Sequence, residues 1–156
     1  MKLLPSKKRR ARTEESLQMA LSKYIMLKYP DVIFTAEASG VRTSYVDAAK
    51  LKMMRSHGAH ADMIILEPRG TYAGLIMELK RQGKKPYRQD GTLSRNQHIQ
   101  AQANMLERLI KKGYYSRFAV GLDEGMQIID EYMNQPPYGI REQRQRDPEK
   151  LPENGR

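Results

Sequence analysis

The segment that most constrains this chain spans residues 61 to 80, ADMIILEPRGTYAGLIMELK, in which two apolar runs flank the triplet PRG. Proline and glycine favour turns, so the two runs are predicted to be the strands of an antiparallel hairpin. A turn centred near Gly70 places Asp62 directly opposite Glu78, with their Cβ atoms about 4.5 to 5.5 Å apart. Lys80 then projects from the same face as Glu78, because side chains alternate along a strand.

These charged residues interrupt faces that are otherwise apolar. Asp62 shares its predicted face with Ile64 and Leu66, and Glu78 shares its face with Ile76. Charges are rarely placed on apolar faces without a partner or a metal. The hairpin therefore predicts either a site for a divalent cation or a structural ion pair.

Charge and composition narrow the class of protein. The 156 residues suit one domain with tails, and 28 Lys and Arg against 18 Asp and Glu give a formal charge of +10. This charge favours a polyanionic partner, and nucleic acid is preferred to a membrane because no basic amphipathic helix carries aromatic anchors. No apolar run approaches the roughly 20 residues that span a bilayer, so a soluble, cytoplasmic protein is expected.

The sequence excludes several kinds of site. It has no cysteine, which rules out disulfides, thiolate zinc sites and a cysteine nucleophile. His57 and His60 have a spacing that can ligate zinc, but they flank Gly58 at a predicted helix end. The fixed helical geometry of a zinc site is therefore missing.

The domain organisation is read from charge and periodicity. Residues 1 to 12 are predicted to be a basic flexible arm, 13 to 135 the folded domain and 136 to 156 a polar tail. The predicted order of helix, strand, helix, hairpin, helix, strand, helix indicates an α/β fold with a mixed sheet covered on both faces. The predicted elements besides the hairpin are a helix capped by Thr13 and stopped by Pro30, a strand over 31–37, a helix from Ser44 to about His57, a helix over 95–112 capped by Ser94 with Ile99, Ala103, Leu106 and Ile110 inward, a strand over 114–122, and a helix capped by Asp123 that reaches Met133.

Residues 81 to 93, RQGKKPYRQDGTL, form a basic stretch with glycine and proline that is predicted to be an exposed loop, called here the basic loop. It leaves the hairpin beside the acids, so its cations are well placed to hold phosphates. The candidate DNA contacts are Arg81, Lys84, Lys85 and Arg88 of this loop, with Lys52 on the second helix.

Asp62, fifteen intervening residues and the triplet Glu78, Leu79, Lys80 resemble the PD-(D/E)xK nuclease signature, with Ala61 where that signature has proline. The wider sequence resembles the VRR-NUC family of virus-type replication-repair nucleases, particularly its stand-alone phage-type members. The segments that carry this resemblance are EESLQ in the first helix, KYP at its end, SGVR, ELK, SRNQ, KKGY and DEY.

The resemblance implies a restriction-endonuclease-like core and a role for each matching residue. Asp62, Glu78 and the carbonyl of Leu79 would bind Mg²⁺, for which Mn²⁺ would substitute. Lys80 would be the catalytic lysine. Gln97, in SRNQ, would support the site. The outer acid would be Glu14, with Glu15 as the fallback.

The expected activity is Mg²⁺-dependent hydrolysis of DNA phosphodiester bonds. By resemblance, the substrate would be a Holliday junction or other branched DNA, the protein a homodimer, and its location the host cytoplasm if a phage encodes it. Two alternatives stay open. One is a nuclease of the same superfamily that nicks or trims duplex or single-stranded DNA. The other is a non-catalytic DNA-binding replication accessory protein whose acids form ion pairs.

Overall fold

The computed structural model describes residues 13–37 and 61–138, and the elements below belong to those ranges. The predicted arm over 1–12, the helix from Ser44 to His57 with Lys52, the pair His57 and His60, and the tail beyond 138 lie outside the described residues. The elements in chain order are α1 (Glu14–Lys28), β1 (Phe34–Ala36), β2 (Met63–Ile65), β3 (Leu75–Lys80), α2 (Gln97–Lys111), β4 (Tyr115–Val120) and α3 (Gly121–Met133).

The four strands form one sheet in the order β1-β2-β3-β4. The pairs β1–β2 and β2–β3 are antiparallel, whereas β3 and β4 are parallel and are joined through α2. Because parallel neighbours need a long crossover connection, α2 serves as that connection. The predicted mixed sheet is confirmed.

Helices cover both faces of the sheet. On one face, α1 and α3 bury the odd-numbered side chains of the central strands, such as Met63, Met77 and Leu79. On the other face, Leu106 of α2 packs against Ile76 of β3 and Phe118 of β4. β3 is buried along its whole length, so the side chains of its even-numbered residues lie between the sheet and α2.

The first helix has the boundaries that the sequence predicts. Thr13 accepts a hydrogen bond from the backbone N–H of Ser16 through its side chain, and the helix ends at Lys28, ahead of Pro30. Lys28 donates a hydrogen bond to Asp130 of α3 at 2.7 Å, which ties the end of α1 to the helix beside it.

The later helices begin at different residues from those predicted. Asn96, and not Ser94, caps α2, because its Oδ1 accepts hydrogen bonds from the N–H groups of His98 and Ile99. Asp123 does not cap α3, which begins at Gly121 after Val120. The helix start is stabilised instead by Glu124, whose carboxylate accepts a hydrogen bond from the Val120 N–H at 3.0 Å.

Three further expectations need correction. The strand expected over 31–37 is only Phe34–Ala36, and the strand expected over 114–122 is Tyr115–Val120. Ile110, expected inward, is 54% exposed, and the neighbouring Leu109 packs on the core instead. The difference of one residue is a rotation of about 100° around the helix.

Within residues 13–37 and 61–138, no helix is both long enough and apolar enough to cross a bilayer.

The hairpin that joins β2 to β3 depends on one close backbone approach. A Cβ atom on Gly74 would lie 2.7 Å from the carbonyl oxygen of Ile65, closer than van der Waals contact allows. That oxygen belongs to the strand backbone and cannot move without disturbing the pairing of Ile65 with Leu75.

We expect Gly74→Ala to lower the free energy of unfolding by about 1 to 3 kcal/mol, because the added methyl group overpacks the start of β3. Urea unfolding followed by circular dichroism measures the change. The exposed Thr71→Ala, in the same connection, serves as the control and should shift stability by less than about 0.5 kcal/mol. Equal midpoints for Gly74→Ala and the wild type would contradict the proposed clash.

Candidate active site

Three charged side chains meet on the face of the sheet that α2 covers. Met63 pairs with Met77 and Ile64 with Ile76. The same register, extended by one residue, places Asp62 opposite Glu78. The register predicted from the turn is therefore confirmed. Lys80 follows two residues later on the same face of β3.

Hydrogen bonds fix the position of each group. Asp62 Oδ2 accepts the backbone N–H of Leu79 at 2.7 Å. Lys80 Nζ donates to Glu78 Oε1 at 2.8 Å and to the Leu79 carbonyl at 3.0 Å. The ion pair is almost completely buried, since the side chains of Lys80 and Glu78 are 5% and 2% exposed. The backbone of Leu79 thus holds Asp62 through its N–H and Lys80 through its carbonyl oxygen.

Burial dominates the electrostatics of the two acids. The pKa of Glu78 is raised to about 8, first by burial and then by the negative charge of Asp62, while Lys80 opposes the shift. Burial also raises the pKa of Asp62, and the hydrogen bond from Leu79 opposes that shift. Two carboxyl groups with raised pKa values side by side form a site where added positive charge is favourable.

The start of α1 brings a third acid to this region. Glu14 Oε1 is buried without a hydrogen-bond partner among the described residues, and the charge of Glu14 contributes to the raised pKa of Asp62. Glu15 is exposed, so Glu14 is the acid that faces the pair. Gln18, one turn further along, donates to the backbone carbonyl oxygens of Asp62 and Glu37 at 2.6 and 2.7 Å. It anchors α1 to the strand entry.

The glutamine that contacts Glu78 is Gln102, and not the Gln97 that the sequence motif indicated. Gln97 is exposed at the first residue of α2, whereas Gln102 is buried and donates a hydrogen bond from Nε2 to Glu78 Oε1. Gln102 lies on the inward stripe of α2 with Ile99 and Leu106, at spacings of three and four residues. That position among apolar residues was the signal in the sequence that could have identified it.

The oxygen atoms of this cluster are suited to a hard divalent cation. Among the described residues, Glu78 Oε2 and Glu14 Oε1 are buried without hydrogen-bond partners. The Leu79 carbonyl accepts from Lys80 but keeps a second lone pair. Mg²⁺ binds through one or two carboxylates and retains several waters. In the described part of the chain, no three His, Asp or Glu side chains are grouped closely enough to hold a metal by themselves.

The basic loop leaves β3 directly after Lys80 and presents its cations to solvent. Its exposed cations are Arg81, Lys84, Lys85 and Arg88. Beside the loop, an open groove of about 1050 Å³ is lined by residues of the loop, α2, β4 and α3. The groove lies at the β4 edge of the sheet, and Asp62, Glu78 and Lys80 are not among the residues that line it. We call it the edge groove.

The fold and this cluster together define an α/β domain with paired carboxylates and a lysine on one hairpin. A solved structure described as "VRR_NUC domain protein" has the same fold, with a TM-score of 0.62 and 23% identity. The match covers 83% of this chain and 94% of that chain. No protein-family model matches the sequence, and no curated protein matches it.

We expect Glu78→Gln to raise the melting temperature at pH 8 in EDTA, with a gain that shrinks toward pH 5. In the folded protein burial raises the pKa of Glu78 to about 8, so the carboxyl keeps its proton below that pH. In the unfolded chain its pKa is the ordinary 4.5. The free energy of unfolding of the wild type therefore falls as the pH rises through this window, and a glutamine removes that loss.

The matched control is Glu131→Gln, an exposed carboxyl on α3. It should leave the melting temperature unchanged at both pH values. A Glu78→Gln protein less stable than the wild type at pH 8 would show that the Glu78 charge stabilises the fold.

Proposed function

We propose that this protein is a Mg²⁺-dependent nuclease that hydrolyses phosphodiester bonds in DNA. The observation that carries the proposal is the buried convergence of Asp62, Glu78 and Lys80 on one face of the hairpin. Support also comes from the fold, which is shared with a protein whose description names a nuclease domain. The net charge of +10 suits a polyanionic substrate.

The proposed ligands are the carboxylates of Asp62 and Glu78 with the Leu79 carbonyl, and Glu14 is the outer acid. When bound, the cation supplies polarisation of a phosphoryl oxygen and a more acidic water. Leu79 N–H keeps Asp62 oriented, and Gln102 keeps Glu78 oriented. Each acid is therefore held in one orientation.

Lys80 supplies positive charge where negative charge develops on the oxygens around phosphorus. Its role is to orient the attacking water and to stabilise the transition state, and not to act as a base. Its ammonium is already positioned by two acceptors, which reduces the reorganisation needed at the moment of reaction.

The basic loop holds the DNA backbone. Its exposed cations follow the reactive lysine directly in the chain, so bound phosphates lie next to the acid pair. We further propose branched DNA as the substrate and a homodimer as the active form. Both rest on the sequence resemblance to stand-alone VRR-NUC proteins, since a symmetric junction needs two cuts and hence two sites.

Cleavage should require Mg²⁺ or Mn²⁺ and the three central side chains. We expect Asp62→Ala and Lys80→Ala each to lower the cleavage rate by at least about 100-fold, because each removes charge stabilisation of the transition state. A labelled branched DNA incubated with protein and separated on a denaturing gel measures the rate. Lys112→Ala, an exposed lysine after α2, is the control and should cleave at the wild-type rate.

A substrate panel tests the finer proposal. We expect a Holliday junction, a flap and a fork to be cleaved faster than continuous duplex, with the protein eluting as a dimer on size exclusion. Preference for duplex or single strands would favour a nicking or end-processing enzyme. DNA binding that survives Asp62→Ala, with no cleavage of any substrate in Mg²⁺ or Mn²⁺, would favour an accessory protein.

A further inference from the structure

Tyr87 is an aromatic residue that the structure holds firmly and still leaves half exposed. It lies in the middle of the basic loop and is 50% exposed. The rings of Tyr87 and of Phe118 on β4 meet edge to face, with centroids 6.1 Å apart and planes at 87°. This edge-to-face contact is a favourable aromatic geometry, and it fixes the ring relative to the sheet.

The backbone around Tyr87 is also ordered by hydrogen bonds. Tyr87 and Leu93 form an antiparallel bridge, and the Ser94 N–H donates to the Pro86 carbonyl at 2.9 Å. Between them, Asp90 accepts from the N–H and the hydroxyl of Thr92. The segment is therefore a small hairpin and not a loose loop, so Tyr87 is presented in one place.

Phe118 connects Tyr87 to the proposed active site. It pairs with Glu78 in the sheet, and Lys80 Nζ lies 5.9 Å from the Phe118 ring centroid. Because the two distances share the Phe118 centroid, the Tyr87 ring lies at most about 12 Å from the lysine ammonium. At 3.4 Å per stacked nucleotide, this is a reach of roughly four nucleotides.

Cationic side chains, which suit phosphate, and apolar side chains, which suit a base, lie side by side around Tyr87. Lys85 and Arg88 flank the tyrosine on the rim of the edge groove. The groove itself is lined by Phe118 and Leu106, by Arg117 of β4, and by Glu107, Glu124 and Glu131 of the helices. An uncharged base can pack on the apolar side chains of this lining, while the cations of the basic loop pair with its phosphate.

We propose that Tyr87 is a stacking platform for an unpaired nucleobase within about four nucleotides of the scissile phosphate. Aromatic side chains on a cationic surface bind bases by stacking without reading their sequence. Inside continuous duplex both faces of a base are already covered by its neighbours, so only an unpaired or terminal base can use the ring. This inference rests on the proposed nuclease function and adds that, among branched DNAs, flaps and forks with unpaired nucleotides beside the cut gain this contact.

Cleavage kinetics test the consequence. We expect Tyr87→Ala to lower kcat/KM on a flap or fork by roughly 5- to 150-fold, the range of one base–aromatic stack, and to change cleavage of continuous duplex by less than about twofold. Tyr87→Phe and Tyr87→Trp keep a ring and should retain the flap activity. The control is Tyr138→Ala, an exposed tyrosine 65% accessible to solvent at the end of the described chain. An equal loss on flap and duplex, or none on either, overturns the proposal.

A second experiment tests the contact without relying on catalysis. Flap DNA with 5-iodouracil at successive unpaired positions is bound to the wild-type protein in EDTA and irradiated, and the crosslinked peptide is identified by mass spectrometry. A crosslink to Tyr87 that disappears when the same nucleotide is paired supports the platform. Crosslinking elsewhere, or equally to paired DNA, overturns it. If the wild type crosslinks at Tyr87 and cleaves nothing in Mg²⁺, the proposed catalysis fails and the base site stands.

Discussion

The register between β2 and β3 is the constraint on which the site depends. Side chains alternate in a strand, so a slip of one residue would turn Asp62 toward α1 and leave Glu78 facing α2. The apolar packing resists that slip, because it would also move Met63 and Ile65 out of the core that α1 and α3 cover. The same contacts that stabilise the fold therefore keep the two acids on one face.

Burial of the acid pair is costly, and the surrounding groups offset only part of that cost. Glu78 receives a hydrogen bond from Gln102 and an ion pair from Lys80, and both contact the same oxygen, Oε1. The other oxygen is left without a partner in the described structure. A buried carboxylate oxygen without a hydrogen-bond partner destabilises the protein.

The sequence predicted the parts of this molecule that local chemistry determines. Turn formers and alternation gave the hairpin register, and Thr13 with Pro30 bounded α1. The sequence was less informative where two residues could each fill one structural role. Ser94 and Asn96 are both good caps, and only the three-dimensional path of the loop decides for Asn96. Likewise, the motif indicated Gln97, whereas Gln102, on the inward face of α2, is the glutamine that contacts Glu78.

The main chain at Leu79 has a consequence for how such a protein diverges. Its N–H orients Asp62 and its carbonyl oxygen receives Lys80, and neither atom depends on which side chain occupies position 79. Replacement of this leucine by another apolar residue alters the packing and keeps both contacts. This part of the arrangement comes from strand geometry, so the residue at position 79 can vary while the charged cluster persists.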